Sequence, residues 1–315
     1  MPIVEIAMVL AGLVGLYIGA EGLVRGASSF AFRIGITPLV VGLTVVAFGT
    51  SAPELLVGLL GTDDVAVGNI LGSNVANLAL ILGAAAMVKP IEIKSRAVRR
   101  DLPIMVAATL LFIAVAINGS LSQLNGVILL AAMVGYLGYT FFEARRDMEQ
   151  FEELVGDEIG DLEPDEHPPW RDVMMLVGGI AALALGAKLM VDGAIVIAHS
   201  IGVSELVIGI SIVALGTSLP ELATSLVAAY RDEADISVGN VIGSNIFNLL
   251  FVVGILATVG SLTVDEQALS IDLWVVLGIS IGIWPLLRSG HILSRREGGL
   301  LLAFYVGYMI TLFLR

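Results

Sequence analysis

Ala47-Phe48-Gly49-Thr50-Ser51-Ala52-Pro53-Glu54 recurs later in the chain as Ala214-Leu215-Gly216-Thr217-Ser218-Leu219-Pro220-Glu221, and each copy lies in a stretch otherwise apolar enough to cross a bilayer. A glutamate in such a stretch costs about 2 to 3 kcal/mol or more unless something compensates it, so an intramembrane acid is a functional feature by default. The same acid at the same place in two copies strengthens that reading.

Composition sets the solvent. Hydrophobic residues make up 57% of the chain and charged residues only 14%, and the mean hydropathy is +0.96. These values lie far outside the range of soluble globular domains. An all-α polytopic membrane protein is expected. The first apolar run, Ile3 to Val24, has no basic residue ahead of it and is followed by Arg25 and Arg33. Those flanks are the reverse of a cleavable signal peptide, which predicts a retained span with its N-terminus outside. The chain has no cysteine, so a bound metal must take oxygen or imidazole ligands.

Cutting the chain at its polar interruptions leaves ten apolar runs of spanning length, roughly 3–24, 37–60, 65–88, 102–118, 126–142, 172–192, 204–229, 236–259, 271–288 and 298–314. With the N-terminus outside, 14 of the 16 Lys and Arg residues fall at inward ends and loops, leaving only Lys188 and Arg315 on the other side. One missed or invented span would flip every later loop and spoil this asymmetry, so it supports ten spans with both termini outside.

The polar segment from Glu143 to Asp172 carries twelve acids against three arginines, a net charge of −9. It reads as a solvated cytoplasmic connector, since its acids lack the alternation and central glycine of an EF-hand loop. The connector divides the chain into a first five-span repeat at 1–142, the connector itself at 143–171, and a second five-span repeat at 172–315. Glu54 and Glu221 align at an offset of 167 residues; beyond them Val67-Gly-Asn-Ile-Leu-Gly-Ser-Asn-Val-Ala-Asn77 aligns with Val238-Gly-Asn-Val-Ile-Gly-Ser-Asn-Ile-Phe-Asn248 at an offset of 171, the first half being four residues shorter at Gly61 to Val65. Because five is odd, the second copy enters from the opposite face. The repeats are therefore expected to be inverted, a symmetry from which many secondary transporters build alternating access.

Each copy carries the same chemistry. Pro53 and Pro220 have no N–H, so the carbonyls of Gly49 and Gly216 lose their helical partners, and carbonyls near Ala47 and Ala214 are expected to become available as ligands. Irregular backbone at membrane depth is tolerated only where it is buried in protein or lines a wet cavity. Thr50, Ser51 and Glu54, with Thr217, Ser218 and Glu221, add oxygens to the same breaks. Asn69, Ser73 and Asn77 are spaced i, i+4, i+8, as are Asn240, Ser244 and Asn248, so each trio forms one polar stripe on a helix face. Two breaks facing two stripes predict an all-oxygen cage for a cation.

Duller explanations exist for each part. Ser51-x-x-Glu54 and Ser218-x-x-Glu221 fit a helix-capping box, and Asn and Ser stripes can be interhelical glue. Neither accounts for glutamates deep in the membrane in both halves, followed at matching distance by matching stripes. Glu21 with Arg25, and Lys188 with Asp192, are i, i+4 pairs near span ends and read as local ion pairs. His167, His199 and His291 read as solvated or structural. A hydrolase is disfavoured because no His or Lys stands near Ser51 or Ser218 in sequence. The chain is not expected to be an enzyme.

Gly-Thr-Ser-x-Pro-Glu followed by Gly-Asn-x-x-Gly-Ser-Asn-x-x-Asn, present twice, resembles the two alpha repeats of the sodium/calcium exchanger family within the calcium/cation antiporter superfamily. The resemblance covers essentially the whole chain and implies a prokaryotic ten-span exchanger of the plasma membrane. It further implies that calcium and sodium occupy alternative subsites between the second, third, seventh and eighth helices, while the first and sixth slide across that bundle. On this chain the implied ligands are Thr50, Ser51, Glu54, Ser73, Asn77, Thr217, Ser218, Glu221, Ser244 and Asn248, with the carbonyls of Ala47 and Ala214. Some members have an aspartate where Asn248 stands, and potassium-dependent relatives rely on it; its absence argues against potassium co-transport. The expected partners are Na⁺ and Ca²⁺ as cargo and the lipid bilayer, with no cofactor and no nucleic acid.

Selectivity follows from ligand chemistry as well. Calcium takes about six to eight flexible oxygen ligands including carboxylates, whereas zinc or copper would want His or Cys. Two glutamates balance one Ca²⁺, and exchange at the family's 3:1 ratio would be electrogenic. A proton/calcium antiporter using the same glutamates and a passive cation channel are the alternatives.

Overall fold

The computed structural model describes residues 3–93, 97–155, 168–202, 214–266, 268–288 and 291–313. Its long elements are helices: α1 (Ile3–Arg33), α2 (Pro38–Leu60), α3 (Asp63–Val88), α4 (Leu102–Ala116), α5 (Gln123–Val155), α6 (Pro169–Ser200), α7 (Leu219–Tyr230), α8 (Ala234–Val259), α9 (Leu273–Arg288) and α10 (Arg295–Phe313). Among the described residues seven helices are long and apolar enough to cross a membrane. Of the remaining expected spans, α4 has 15 residues, the run 204–229 overlaps residues 203–213 outside the described set, and α10 opens on Arg295, Arg296 and Glu297.

Burial separates a central bundle from its periphery. The apolar windows of α2, α3 and α8 are 61%, 78% and 83% buried, whereas those of α1 and α6 are each only 22% buried. α1 and α6 instead pack on one another along their length through glycines spaced seven apart. A Cβ on Gly19 would sit 2.7 Å from Leu183 N, one on Gly186 2.7 Å from Leu16 N, and one on Gly179 2.7 Å from Leu23 N. Small residues that let backbones touch are how membrane helices gain packing energy where the hydrophobic effect does not act between them. α6 also runs past both sequence breaks: a Cβ on Gly49 would meet Ile180 Cδ1, and one on Gly216 would meet Val191 Cγ2, each at 2.4 Å.

Local irregularities recur at the repeat spacing. π turns at Ala76–Ile81 and Asn248–Val252 begin beside Asn77 and at Asn248, and a second pair covers Ala97–Asp101 and Ala268–Asp272. Such widenings often mark functional segments of a helix. Four two-residue strands, β1 (Ile91–Glu92), β2 (Ser120–Leu121), β3 (Leu262–Thr263) and β4 (Ile292–Leu293), form two antiparallel ribbons. β1 pairs with β4 and β2 with β3. Each ribbon thus ties one half of the chain to the other.

The acidic connector departs from a solvated spacer at both of its ends. α5 continues helical to Val155, and Glu143, only 7% exposed, pairs with Arg100. Asp172, 2% exposed, accepts from Arg33 Nε and Ser29 Oγ at 2.8 Å each. Arginines on neighbouring helical segments neutralise these two buried acids; residues 156–167, including His167, lie outside the described set. The expected pairs Glu21–Arg25 and Lys188–Asp192 both form at 2.7 Å, and His199 and His291 are exposed.

Candidate cation site

Pro53 and Pro220 set the local geometry. Each stands in the first turn of a helix, where its missing N–H costs nothing, and the preceding Ser51 and Ser218 leave the helical region (ψ 4° at both). Neither serine makes a side-chain cap hydrogen bond, so the capping-box explanation is not realised. The hydroxyls turn across the molecule instead: Ser51 Oγ donates to Glu221 Oε1 at 3.3 Å, and Ser218 Oγ lies 3.0 Å from Ser73 Oγ.

The break of one half faces the stripe of the other. Thr50 Oγ1 donates to Asn240 Oδ1 at 3.1 Å, and Thr217 Oγ1 donates to Asn69 Oδ1 at 3.0 Å. Thr50 Oγ1 also lies 3.5 Å from Ser244 Oγ. Ser73 is a junction: it donates to Glu54 Oε1 at 3.0 Å and accepts from Asn248 Nδ2 at 3.4 Å. Asn248 Nδ2 reaches Asn74 Oδ1 at 3.1 Å as well. Asn77 lies on the same face of α3, fully buried, with neither side-chain polar atom hydrogen-bonded. Ala214 opens the helical turn Ala214–Thr217 that carries Thr217.

The first break keeps one helical hydrogen bond. The Ala47 carbonyl accepts Ser51 N at 3.1 Å, and Thr50 Oγ1, whose single proton faces Asn240 Oδ1 at 3.1 Å, lies 3.4 Å from it. The chain closes an ordinary i→i+4 bond there because the proline removes the donor two residues further on.

Glu54 and Glu221 are both 0% exposed, and among the described residues neither has a cationic side chain as a partner. Glu54 Oε2, Glu221 Oε2, Asn77 Oδ1 and Asn248 Oδ1 are buried without a hydrogen-bond donor. Native interiors leave few polar atoms unsatisfied, and each exception calls for an explanation. Two of these oxygens are carboxylate and two are amide oxygens, a set that a positive charge satisfies; the amide nitrogens of Asn69 and Asn77 are likewise without a partner. The arrangement suits a hard cation, since every side chain brought together is an oxygen donor and the carboxylates supply two negative charges.

Sequence comparison agrees with this chemistry. The pattern of the family described as "Sodium/calcium exchanger protein" matches residues 4–142 and 172–314, omitting only the acidic connector and the extreme ends. The chain belongs to the sodium/calcium exchanger family. This family member is therefore a multi-pass membrane transporter and not an enzyme. It is 38% identical over 318 residues to CaxA of Alkalimonas amylolytica, covering 99% of each chain. It is 32% identical over 349 residues to the sodium/calcium exchanger MaX1 of Methanosarcina acetivorans, covering 98% of this chain and 99% of that one. Among solved structures, the sodium/calcium exchanger from Methanococcus jannaschii superposes with a TM-score of 0.83 at 29% identity, over 98% of this chain and 99% of that one.

Asn69, Asn240, Asn74 and Asn245 take part in the same network but are not among the implied ligands. Asn69 and Asn240 head their stripes and orient Thr217 and Thr50. Asn74 Nδ2 donates to the Asn245 carbonyl at 3.4 Å, linking α3 to α8. The repeated Gly-Ser-Asn triplet was the available signal, since Asn74 and Asn245 recur in it as faithfully as Ser73 and Ser244.

Proposed function

We propose that this protein exchanges Na⁺ for Ca²⁺ by alternating access, electrogenically and without potassium, through a site shared by Glu54, Glu221 and the hydroxyls and amides around them. The observation that carries the reading is the pair of fully buried carboxylates, one from each half, whose outer oxygens have no donor. A divalent cation balances both charges. The ligand set we infer is Thr50, Ser51, Glu54, Ser73, Asn77, Thr217, Ser218, Glu221, Ser244 and Asn248, with the Ala214 carbonyl and the second lone pair of the Ala47 carbonyl.

On this reading the two halves are inverted five-span repeats with both termini outside and the connector cytoplasmic, in a prokaryotic plasma membrane. The strand ribbons that join first half to second, and the π turns repeated at the same spacing, support that symmetry. Three Na⁺ entering for one Ca²⁺ leaving would move one net charge, worth about 2.3 kcal/mol per 100 mV. Asn248 supplies an amide oxygen but no further negative charge, which supports potassium independence.

Calcium uptake into sodium-loaded proteoliposomes tests the proposal. Uptake should require internal sodium, be inhibited competitively by external sodium, generate a membrane current and be indifferent to potassium. A strict potassium requirement would overturn the reading of Asn248. Calcium flux that follows a pH gradient and ignores sodium would place the protein with proton-coupled antiporters, which would use the same buried carboxylates as proton carriers. Flux without any counter-ion would make it a channel.

A further inference from the structure

The two halves differ on one side of the carboxylate pair. One turn beyond Glu221, α7 carries Thr224 and Ser225, and one turn before Asn240, α8 carries Ser237; all three are 0% exposed. The aligned positions of the first half are Val57, Gly58 and Ala66, none with a hydroxyl. A Cβ on Gly58 would strike Leu256 Cδ1 at 2.5 Å, so an apolar side chain fills the place where the second half has Ser225.

These hydroxyls do not behave as helix hydroxyls usually do. Thr44, Thr109, Thr258 and Ser280 each donate to the carbonyl four residues earlier in their own helix, at 2.7 to 2.9 Å. That back-bond is the ordinary way to bury Ser or Thr in a helix. Thr224 Oγ1 and Ser237 Oγ have no hydrogen-bond partner at all. Ser225 Oγ accepts from Asn240 Nδ2 at 3.0 Å, and the same amide reaches the Glu221 carbonyl at 3.3 Å. Ser225 is thereby joined to the carboxylate site. A buried hydroxyl without a partner costs free energy, so Thr224 and Ser237 are available to a ligand.

Beyond Ser237 the protein surface has a cleft of about 440 Å³ at the start of α8, with Glu92, Asp232, Glu233 and Asp235 among its lining residues and His291 on its wall. The loop Arg231–Glu233 at its rim is held in place from three directions. Arg231 pairs with Glu21 of α1, Asp232 with Lys89, and Glu233 Oε1 accepts Ser28 Oγ at 2.8 Å. Lys89 neutralises Asp232, and the remaining acids concentrate counter-ions at the mouth of the cleft.

We propose that Thr224, Ser225 and Ser237 form a staging site for a partly dehydrated cation, Na⁺ or Ca²⁺, on a path between the carboxylate pair and the acidic cleft at the Arg231 face, with no counterpart on the opposite side. Hydroxyl oxygens replace part of the ion's water as it leaves Glu221, and the acids of the cleft receive it. This rests on the cation-exchange reading above, and the Arg231 face is cytoplasmic on the orientation proposed there.

Because the chain has no cysteine, accessibility can be measured directly in the full-length protein in proteoliposomes. Ser237→Cys should react with a membrane-impermeant cationic thiol reagent from the Arg231 face, marked independently by Tyr230→Cys, and Ca²⁺ or Na⁺ should slow the reaction at least threefold. The double variant Thr224→Val, Ser237→Ala should raise half-saturating Ca²⁺ on that face about fivefold or more, leave the opposite face within twofold, and melt no lower than the parent. Labelling from the opposite face only, no labelling from either, labelling that neither cation slows, or a shift equal on both faces or absent from both would overturn the proposal. If the parent protein moves Ca²⁺ without sodium, the exchange reading fails on its own, and the labelling with each cation as protectant still decides the staging site.

Discussion

Replacing Glu54 with glutamine removes one negative charge from the site and almost no volume. The amide oxygen can still accept the Ser73 hydroxyl that now reaches Glu54 Oε1 at 3.0 Å, so the network around Ser73 should survive. The electrostatics should not. At an effective dielectric of about 20 and a separation of about 4 Å, one carboxylate attracts a divalent ion by about 8 kcal/mol and a monovalent ion by about 4 kcal/mol. Desolvation offsets much of this; with a third of it surviving, calcium affinity falls about 100-fold and sodium affinity about 10-fold. Both glutamates are 0% exposed, so solvent screening does little to soften the loss. Glu54→Gln and Glu221→Gln should therefore each reduce sodium-driven calcium uptake in proteoliposomes to about 1% of the parent rate or less, while sodium binding weakens far less. The ion-free variants should melt no lower than the parent, because each loses a buried carboxylate that no cationic side chain among the described residues compensates. Exchange close to wild type in either variant, or equal weakening for the two ions, would refute the two-carboxylate argument.

The α1–α6 interface should discriminate between adjacent glycines: Gly179→Ala would place its Cβ 2.7 Å from Leu23 N, whereas Gly178→Ala meets nothing within 4 Å. Overpacking typically costs about 1 to 3 kcal/mol, so the first should lower the melting temperature and transport and the second neither, as measured on the purified proteins. Shortening the acidic stretch between Glu152 and Glu163 should leave the calcium transport rate unchanged, because its acids lack metal-loop spacing; loss of calcium activation with expression intact would show that the segment regulates.

Much of the candidate site was legible in the sequence because the membrane makes polar residues costly. Against an apolar background, Glu54 and Glu221 stand out without any knowledge of what they face, and repetition at a fixed offset separates them from chance. The same logic picked out the Asn69-Ser73-Asn77 and Asn240-Ser244-Asn248 stripes, since helical periodicity is local. It did not distinguish the asparagines that orient hydroxyls from the oxygens left open, because that depends on partners 148 to 190 residues away, as in Thr217 with Asn69 and Thr50 with Asn240.

The amino-acid order by itself determined the class of protein, the duplication and the oxygen-rich chemistry, for these follow from hydropathy, spacing and residue type within single helices. Only the tertiary structure decided that the break of one half meets the stripe of the other, that the Ala47 carbonyl is already bonded, and that Arg231 reaches back to Glu21. The physical reason is that packing in a bilayer is set by shape and by satisfaction of polar groups between helices distant in sequence. Neither leaves a mark in any local window, so Thr224 and Ser237 look like ordinary helix hydroxyls until their neighbours are in place.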